Sequence, residues 1–252
     1  MLLLDVGNTR VKAGCADSST AEPCGYAEHR GVVMGAVLED LDLPNRGVDR
    51  IVACCVAGDE VREGLAEALQ ERFCIETEFI TASREACGVT NAYPEPRRLG
   101  ADRWAALIGA QARGLDAACI VDAGSALTID GLAGGRHLGG LIIPGAEMMQ
   151  NALFEKTGDL RSLSEAPLAG GRELFANDTR EAITRGAMVA LASAVRHARR
   201  ELAAQIGQAP TVVMAGGDAE RLLALLDDEV VHAPHLILEG LAALARAHDQ
   251  LG

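Results

Sequence analysis

Apolar runs punctuated by glycine, proline and aspartate organise the chain. Leu2-Leu3-Leu4 leads through Asp5-Val6-Gly7-Asn8-Thr9 into Arg10-Val11-Lys12-Ala13-Gly14, where polar and apolar positions alternate. That pattern predicts a hairpin with strands over 2–6 and 10–14. Arg50-Ile51-Val52-Ala53-Cys54-Cys55-Val56-Ala57 predicts a buried strand over 50–57. Val61, Leu65, Leu69 and Phe73 then recur at four-residue steps, which predicts one face of a helix over 59–73. A short strand is expected over 76–80. Pro94 and Pro96 exclude an ordinary helix in the loop that follows. A helix is expected from near Asp102 to about Arg113.

Gly114 to Ala118 reads as a junction, dividing the chain into 1–115 and 116–252. Beyond it, strands are expected over 118–123, 126–132 and 137–143. Pro144-Gly145 stops the third, and a helix is expected over 145–155. A loop rich in Gly and Ser is expected over 158–178. A long helix over 179–206 aligns Ile183, Ala187, Leu191 and Val195. A strand over 211–215 ends in Gly216-Gly217-Asp218, with a helix over 219–226 and a final amphipathic helix after Pro234. Strand-then-helix order in both halves argues an α/β fold.

One phrase occurs twice. Ile120-Val121-Asp122-Ala123-Gly124-Ser125-Ala126-Leu127-Thr128-Ile129-Asp130-Gly131 repeats the layout of the first hairpin: apolar strand, Asp, x-Gly-(Asn/Ser), alternating strand. Two such hairpins suggest two related domains with a ligand between them. Glycine permits a tight turn and close backbone approach. Exposed N–H groups at such a turn, with Asn8, Thr9 and Ser125 adding small polar donors, make a concave anion site suited to phosphate oxygens. Lys12 is the only lysine in the first hundred residues, placed to bend back towards that anion. Asp5 and Asp122 fall at strand ends, where a carboxylate holds a hydrated cation near a polyphosphate. The plainer reading of each phrase is a hairpin turn.

Charge and cysteine usage narrow the class. A formal net charge of −13 argues against nucleic-acid or anionic-membrane binding as the main business. The seven cysteines show no C-x-x-C and no histidine at metal-ligand spacing, so they read as reduced thiols of a cytoplasmic protein. No apolar run approaches the length of a membrane span, and the N-terminus does not read as a signal peptide.

Further chemistry lies in Gly100-Ala101-Asp102-Arg103. At a helix start Asp102 is either a capping carboxylate or an ionised general base. Arg103 offers a planar fork to an anionic or amide-bearing substrate. Tyr93 is either a substrate contact or a packing anchor. Gly139-Gly140…Pro144-Gly145 resembles backbone that must pass close to something. Ala215-Gly216-Gly217-Asp218 makes a bed for a ribose, and Asn177-Asp178-Thr179 is an N-cap signature first and a substrate contact second. The histidines show no partner spacing.

Laid out in order, Asp5-x-Gly7-Asn8-Thr9-x-x-Lys12, Tyr93, Gly100-x-Asp102-Arg103, Asp122-x-Gly124-Ser125-x-x-Thr128-x-Asp130, Leu138-Gly139-Gly140-x-Ile142-x-Pro144-Gly145, Asn177-x-Thr179 with Gly186, and Ala215-Gly216-Gly217-Asp218 resemble the type III pantothenate kinases over nearly the whole chain. That family sits with the sugar kinases, heat-shock chaperones and actin. The resemblance implies two ribonuclease-H-like domains of the actin-like ATPase fold, with ATP in an inter-domain cleft and a homodimer as the usual assembly. It implies that Asp5, Val6, Gly7, Asn8, Thr9, Arg10, Val11 and Lys12 bind ATP phosphates and that Ser125 contacts the nucleotide. Tyr93, Gly100, Ala101, Asp102, Arg103 and Thr179 would bind pantothenate. Asp102 would accept the alcohol proton, and Asp122 would hold K⁺ or NH₄⁺, with Mg²⁺ held through Asp5. Ser125 and Leu127 stand where many relatives carry Thr; Ser125 keeps a hydroxyl and Leu127 does not. The implied reaction is ATP-dependent phosphorylation of pantothenate, the entry to coenzyme A. The rivals are a catalytically idle regulatory homologue of the transcriptional-activator kind, and a phosphatase or sugar kinase of the same superfamily.

Overall fold

The computed structural model of the chain describes residues 1–17, 21–156, 174–226 and 229–249. The loop expected over 158–178 lies outside the described residues as far as 173. The elements run β1 (Leu2–Val6), β2 (Arg10–Ala16), β3 (Ala21–Glu28), α1 (Met34–Glu39), β4 (Ile51–Cys55), α2 (Asp59–Phe73), β5 (Thr77–Phe79), β6 (Glu85–Ala86), β7 (Val89–Thr90) and α3 (Ala101–Ala112). They continue as β8 (Ala117–Ala123), β9 (Ala126–Ala133), β10 (Arg136–Pro144), α4 (Ala146–Lys156), α5 (Thr179–Ile206), β11 (Thr211–Ala215), α6 (Ala219–Leu223), β12 (Val230–His232) and α7 (Leu236–Asp249).

The chain forms two compact units. The first comprises Met1–Asp116, Leu132–Gly139 and the segment that starts at His235; the second comprises Ala117–Gly131 and Gly140–Pro234. In the first unit the sheet order is β3-β2-β1-β4-β5. β1 is antiparallel to β2 and parallel to β4, with Asp5 opposite Lys12 on one side and Cys54 on the other. Alternation divides the strand residues between two faces. Leu2, Leu4, Val6, Ile51 and Ala53 pack with Met34, Val37 and Leu38 of α1 and with Leu65 and Leu69 of α2. Leu3, Asp5, Val52 and Cys54 take the other face, where α3 and α7 contact the sheet. Burying about three such leucine-sized side chains on each face contributes several kcal/mol.

α7 follows most of the second unit in sequence yet packs in the first, directly on α3. Two glycines allow this. A Cβ at Gly240 would run into the Ala105 carbonyl, and one at Gly109 into that of Leu236. The Arg113 guanidinium grips the Glu239 carboxylate with bonds of 2.6 and 2.7 Å at the far end of the pair.

In the second unit β12, β11, β8, β9 and β10 lie side by side. β8, β11 and β12 are mutually parallel, and Asp122 pairs with Ala215. α5 lays Ala187, Leu191 and Val195 into the core and contacts β8. Asp178 caps it, accepting from Glu181 N–H at 3.0 Å, as its sequence position predicts.

β3, α1, β12 and the two-residue ribbons β6 and β7 were not expected from the pattern. β3 carries Pro23 and Gly25, which argue against a strand. It is tolerated because β3 is an edge strand with a bulge: Ala13 pairs with Gly25 and Gly14 with Pro23, leaving Cys24 as the extra residue.

Candidate active site

The first Asp-x-Gly turn closes as a hairpin through Gly7 N–H donating to the Arg10 carbonyl at 3.0 Å. Asp5 is buried, and the Cys54 thiol donates to its Oδ1 at 3.4 Å. Behind the turn, His29 N–H donates to the Thr9 carbonyl at 3.1 Å, and Arg30 donates to Thr9 Oγ1 at 3.2 Å. Asn8 and Arg10 are exposed. The turn therefore presents main-chain and hydroxyl groups on a rigid base, as an anion site requires.

Tyr93 and residues 100–103 lie in the same unit. Arg84 donates to the carbonyls of Asn91, Tyr93 and Pro94. The buried Asn91 amide donates to the Ser83 and Pro96 carbonyls, while its oxygen accepts from Tyr93 N–H at 2.9 Å. These bonds shape the proline-rich loop and fix Tyr93. The Tyr93 ring stacks on buried His137, with centroids 6.0 Å apart. Its hydroxyl accepts from the buried Arg103 guanidinium at 3.1 Å. Tyr93 and Arg103, paired here by tertiary structure, are ten residues apart in the chain.

Asp102 is not the helix cap. Gly100 holds that position without a side-chain bond, and Asp102 lies in the first turn of α3. Its Oδ1 accepts from the adjoining Arg103 N–H at 2.7 Å. The carboxylate also folds back over Gly100, since a Cβ there would sit 2.5 Å from Oδ1. A carboxylate at a helix N-terminus is favoured in its ionised form. Burial pushes the Cys54 thiol well above its ordinary pKa, and the charges of Asp5 and Asp102 push it further. Both carboxylates thus lie within electrostatic reach of one thiol, on the face of the sheet that α3 covers.

The second turn is one residue tighter: only Gly124 and Ser125 separate β8 from β9, where Gly7, Asn8 and Thr9 separate β1 from β2. Gly124 N–H donates to the Ala126 carbonyl at 3.0 Å, and a Cβ on Gly124 would lie 3.7 Å from that oxygen, as one on Gly7 would from Arg10. Two other segments press on it. Gly145 N–H donates to the Ser125 carbonyl at 3.0 Å, and a Cβ on Gly145 would meet that oxygen at 2.6 Å. Gly216, at φ +100°, passes against Ala123, whose carbonyl accepts from Asp218 N–H at 2.9 Å. Gly145 and Gly216 are thus explained by close approach to this turn. Ser125 is exposed at its tip, Asp122 stands at the end of β8, and Leu127 is wholly buried, so it presents no group there. Thr179, the first residue of α5, is exposed on the second unit.

Sequence reasoning missed His29, Cys54, Arg84 and Asn91. Each acts on main-chain carbonyls or a carboxylate brought near by folding, and Asn91 alone carried a signal, as an Asn inside a punctuated loop. No three His, Cys, Asp or Glu converge among the described residues.

The family model for type III pantothenate kinases matches residues 1–201. A type III pantothenate kinase of Nitrosococcus oceani is 37% identical over 252 residues, covering 98% of this chain and 94% of the relative. Among solved structures, a Campylobacter jejuni protein described as a conserved Baf family transcriptional activator superposes with a TM-score of 0.61 at 20% identity, covering 99% of this chain and all of that one. The ethanolamine utilization protein EutJ of Carboxydothermus hydrogenoformans gives 0.54 at 13% identity, covering 96% and 89%. These likenesses establish the fold, that of the actin-like ATPases and sugar kinases.

Proposed function

The chain belongs to the type III pantothenate kinase family, and from that premise we propose that it transfers the γ-phosphoryl group of ATP to pantothenate, giving 4′-phosphopantothenate and ADP, the first step of coenzyme A synthesis. The observation that carries the proposal is the placement of Asp102. Its carboxylate sits at the start of α3, beside the bonded pair Tyr93 and Arg103, in the same compact unit as the Asp5–Lys12 turn.

Phosphoryl transfer is mainly positioning and charge stabilisation. Main-chain N–H groups of the 5–12 turn and the Lys12 ammonium hold the phosphate oxygens. Asp5 would hold Mg²⁺, which when bound neutralises charge on the β and γ groups. Arg103 and Tyr93 hold the polar groups of pantothenate, with Gly100, Ala101 and Thr179 as further contacts. Asp102 orients the primary alcohol and takes its proton as the new P–O bond forms. On the second unit Ser125 contacts the nucleotide, and Asp122 would hold K⁺ or NH₄⁺. The repeated turn supports reading 1–115 and 116–252 as related ribonuclease-H-like halves, with α7 returning to the first.

A homodimer is supported by apolar residues left exposed on the second unit: Leu141 and Ile142 of β10, and Met148 and Leu153 of α4. A cytoplasmic location is supported by seven unbridged cysteines. No described helix is long and apolar enough to cross a membrane.

A coupled ADP-release assay, run with and without pantothenate in potassium and then sodium, tests the reading. ADP release that depends on pantothenate and is faster in potassium is expected. Release driven only by a sugar would point to the wider superfamily, and no release to an idle regulatory homologue.

A further inference from the structure

We propose that His29 is a positioning residue that aims the phosphate-binding turn; the inference rests on reading residues 5–12 as that turn. His29 follows the last residue of β3 and is only 5% exposed. Its Nε2 lies 2.7 Å from the Gly7 carbonyl oxygen. A carbonyl only accepts, so Nε2 carries the hydrogen and donates. The main-chain N–H of the same residue donates to the Thr9 carbonyl at 3.1 Å, and the Arg30 guanidinium donates to Thr9 Oγ1 at 3.2 Å. One dipeptide thus occupies three acceptors of a three-residue turn.

The consequence follows from peptide geometry. No peptide bond among the described residues is cis, so the Gly7 C=O and the Asn8 N–H point in opposite directions from one planar unit. Holding the carbonyl towards His29 therefore turns the Asn8 N–H away from it, on a residue that is exposed. Gly7 has no side chain to fix this plane. The Gly7 N–H is held by the Arg10 carbonyl at 3.0 Å, and the imidazole bond sets the direction of the Gly7 carbonyl itself. Without the imidazole donor the peptide loses that restraint, and the N–H is less well preset for a phosphate oxygen. Preset donors cost no reordering when the ligand arrives.

The test is nucleotide affinity in His29→Ala and His29→Gln. Glutamine keeps an N–H donor on a side chain of comparable reach; alanine has none. His29→Ala is expected to raise the Kd for MgATP, by calorimetry, and the KM for ATP about tenfold, the worth of one net hydrogen bond, with the KM for pantothenate within about twofold of wild type. His29→Gln is expected to recover most of the affinity. An MgATP Kd unchanged in His29→Ala, or ATP and pantothenate KM values that rise together with His29→Gln no better than His29→Ala, overturns the proposal. If His29→Ala does not fold, the glutamine variant decides alone: near-wild-type ATP affinity supports the donor role, and a loss as large as tenfold contradicts it. Because calorimetry needs no acceptor alcohol, a wild type that binds MgATP yet ignores pantothenate refutes the substrate and leaves the role of His29 standing.

Discussion

The carboxylates of Asp5 and Asp102 bear on the same buried thiol, that of Cys54, although 97 positions of sequence separate them. Strand alternation sends Asp5 to the face of the first sheet where α3 lies, and Asp102 opens that helix. One residue suited to anchoring a phosphate-bound cation and one suited to accepting an alcohol proton are thereby brought into a common neighbourhood. Cys54 donates to Asp5 and holds its carboxylate in place.

Thiol reactivity follows from this arrangement. The thiolate is the reactive form, and burial with two nearby negative charges keeps Cys54 protonated far above neutrality. Burial likewise pushes Cys119 up to about 12. Iodoacetamide at pH 8 on the native protein is therefore predicted to label the exposed Cys74 and to spare Cys54 and Cys119. Peptide mass spectrometry reads this directly; labelling of Cys54 as fast as Cys74 would contradict the packing described.

Asp102→Asn keeps the shape and removes the proposed base. Turnover is expected to fall by about a hundredfold or more, with the Kd for MgATP unchanged. Steady-state kinetics with calorimetry separate the two quantities, and near-wild-type turnover rejects Asp102 as the proton acceptor.

Gly100→Ala probes the same carboxylate by sterics. The added methyl would stand 2.5 Å from Asp102 Oδ1, so the carboxylate must swing aside. A loss of at least about tenfold in kcat is expected, since small misplacements of reacting groups are costly. A variant with full kcat would show that the observed rotamer is not the working one.

Tyr93→Phe removes one acceptor of the buried Arg103 guanidinium and loosens its aim. The expected readout is a raised KM for pantothenate with an unchanged KM for ATP. An equal rise in both would place Tyr93 in general folding and not in substrate binding.

Gly240→Ala tests the helix pair beneath the site. The methyl would collide with the Ala105 carbonyl on α3, and overpacking of this kind costs about 1–3 kcal/mol. A lowered Tm in a thermal melt is expected, together with reduced activity because α3 carries Asp102. An unchanged Tm would mean that α3 and α7 are less tightly apposed.

Local pattern made much of this legible. The four-residue step of Leu65 and Leu69 located α2 at 59–73, and the alignment of Ile183, Ala187, Leu191 and Val195 behind an N-cap signature located α5 at 179–206, as observed. The doubled Asp-x-Gly phrase marked both turns because its chemistry is contained within four residues. What stayed hidden depends on distant partners. Pro23 and Gly25 masked β3, whose edge position and bulge are properties of the sheet. The return of α7 to α3 hangs on Gly109 and Gly240, which in sequence are isolated glycines in helical patterns. Arg84, Asn91 and His29 bind main-chain carbonyls, and no residue-type pattern announces which carbonyl a side chain will reach.

Identifying the product tests the central claim most directly. Purified protein with MgATP, potassium and pantothenate is predicted to yield a single new phosphomonoester by ³¹P NMR, its phosphorus coupled to the two protons of a primary carbinol carbon. ADP and inorganic phosphate with no new phosphomonoester, or ATP left intact, would contradict it.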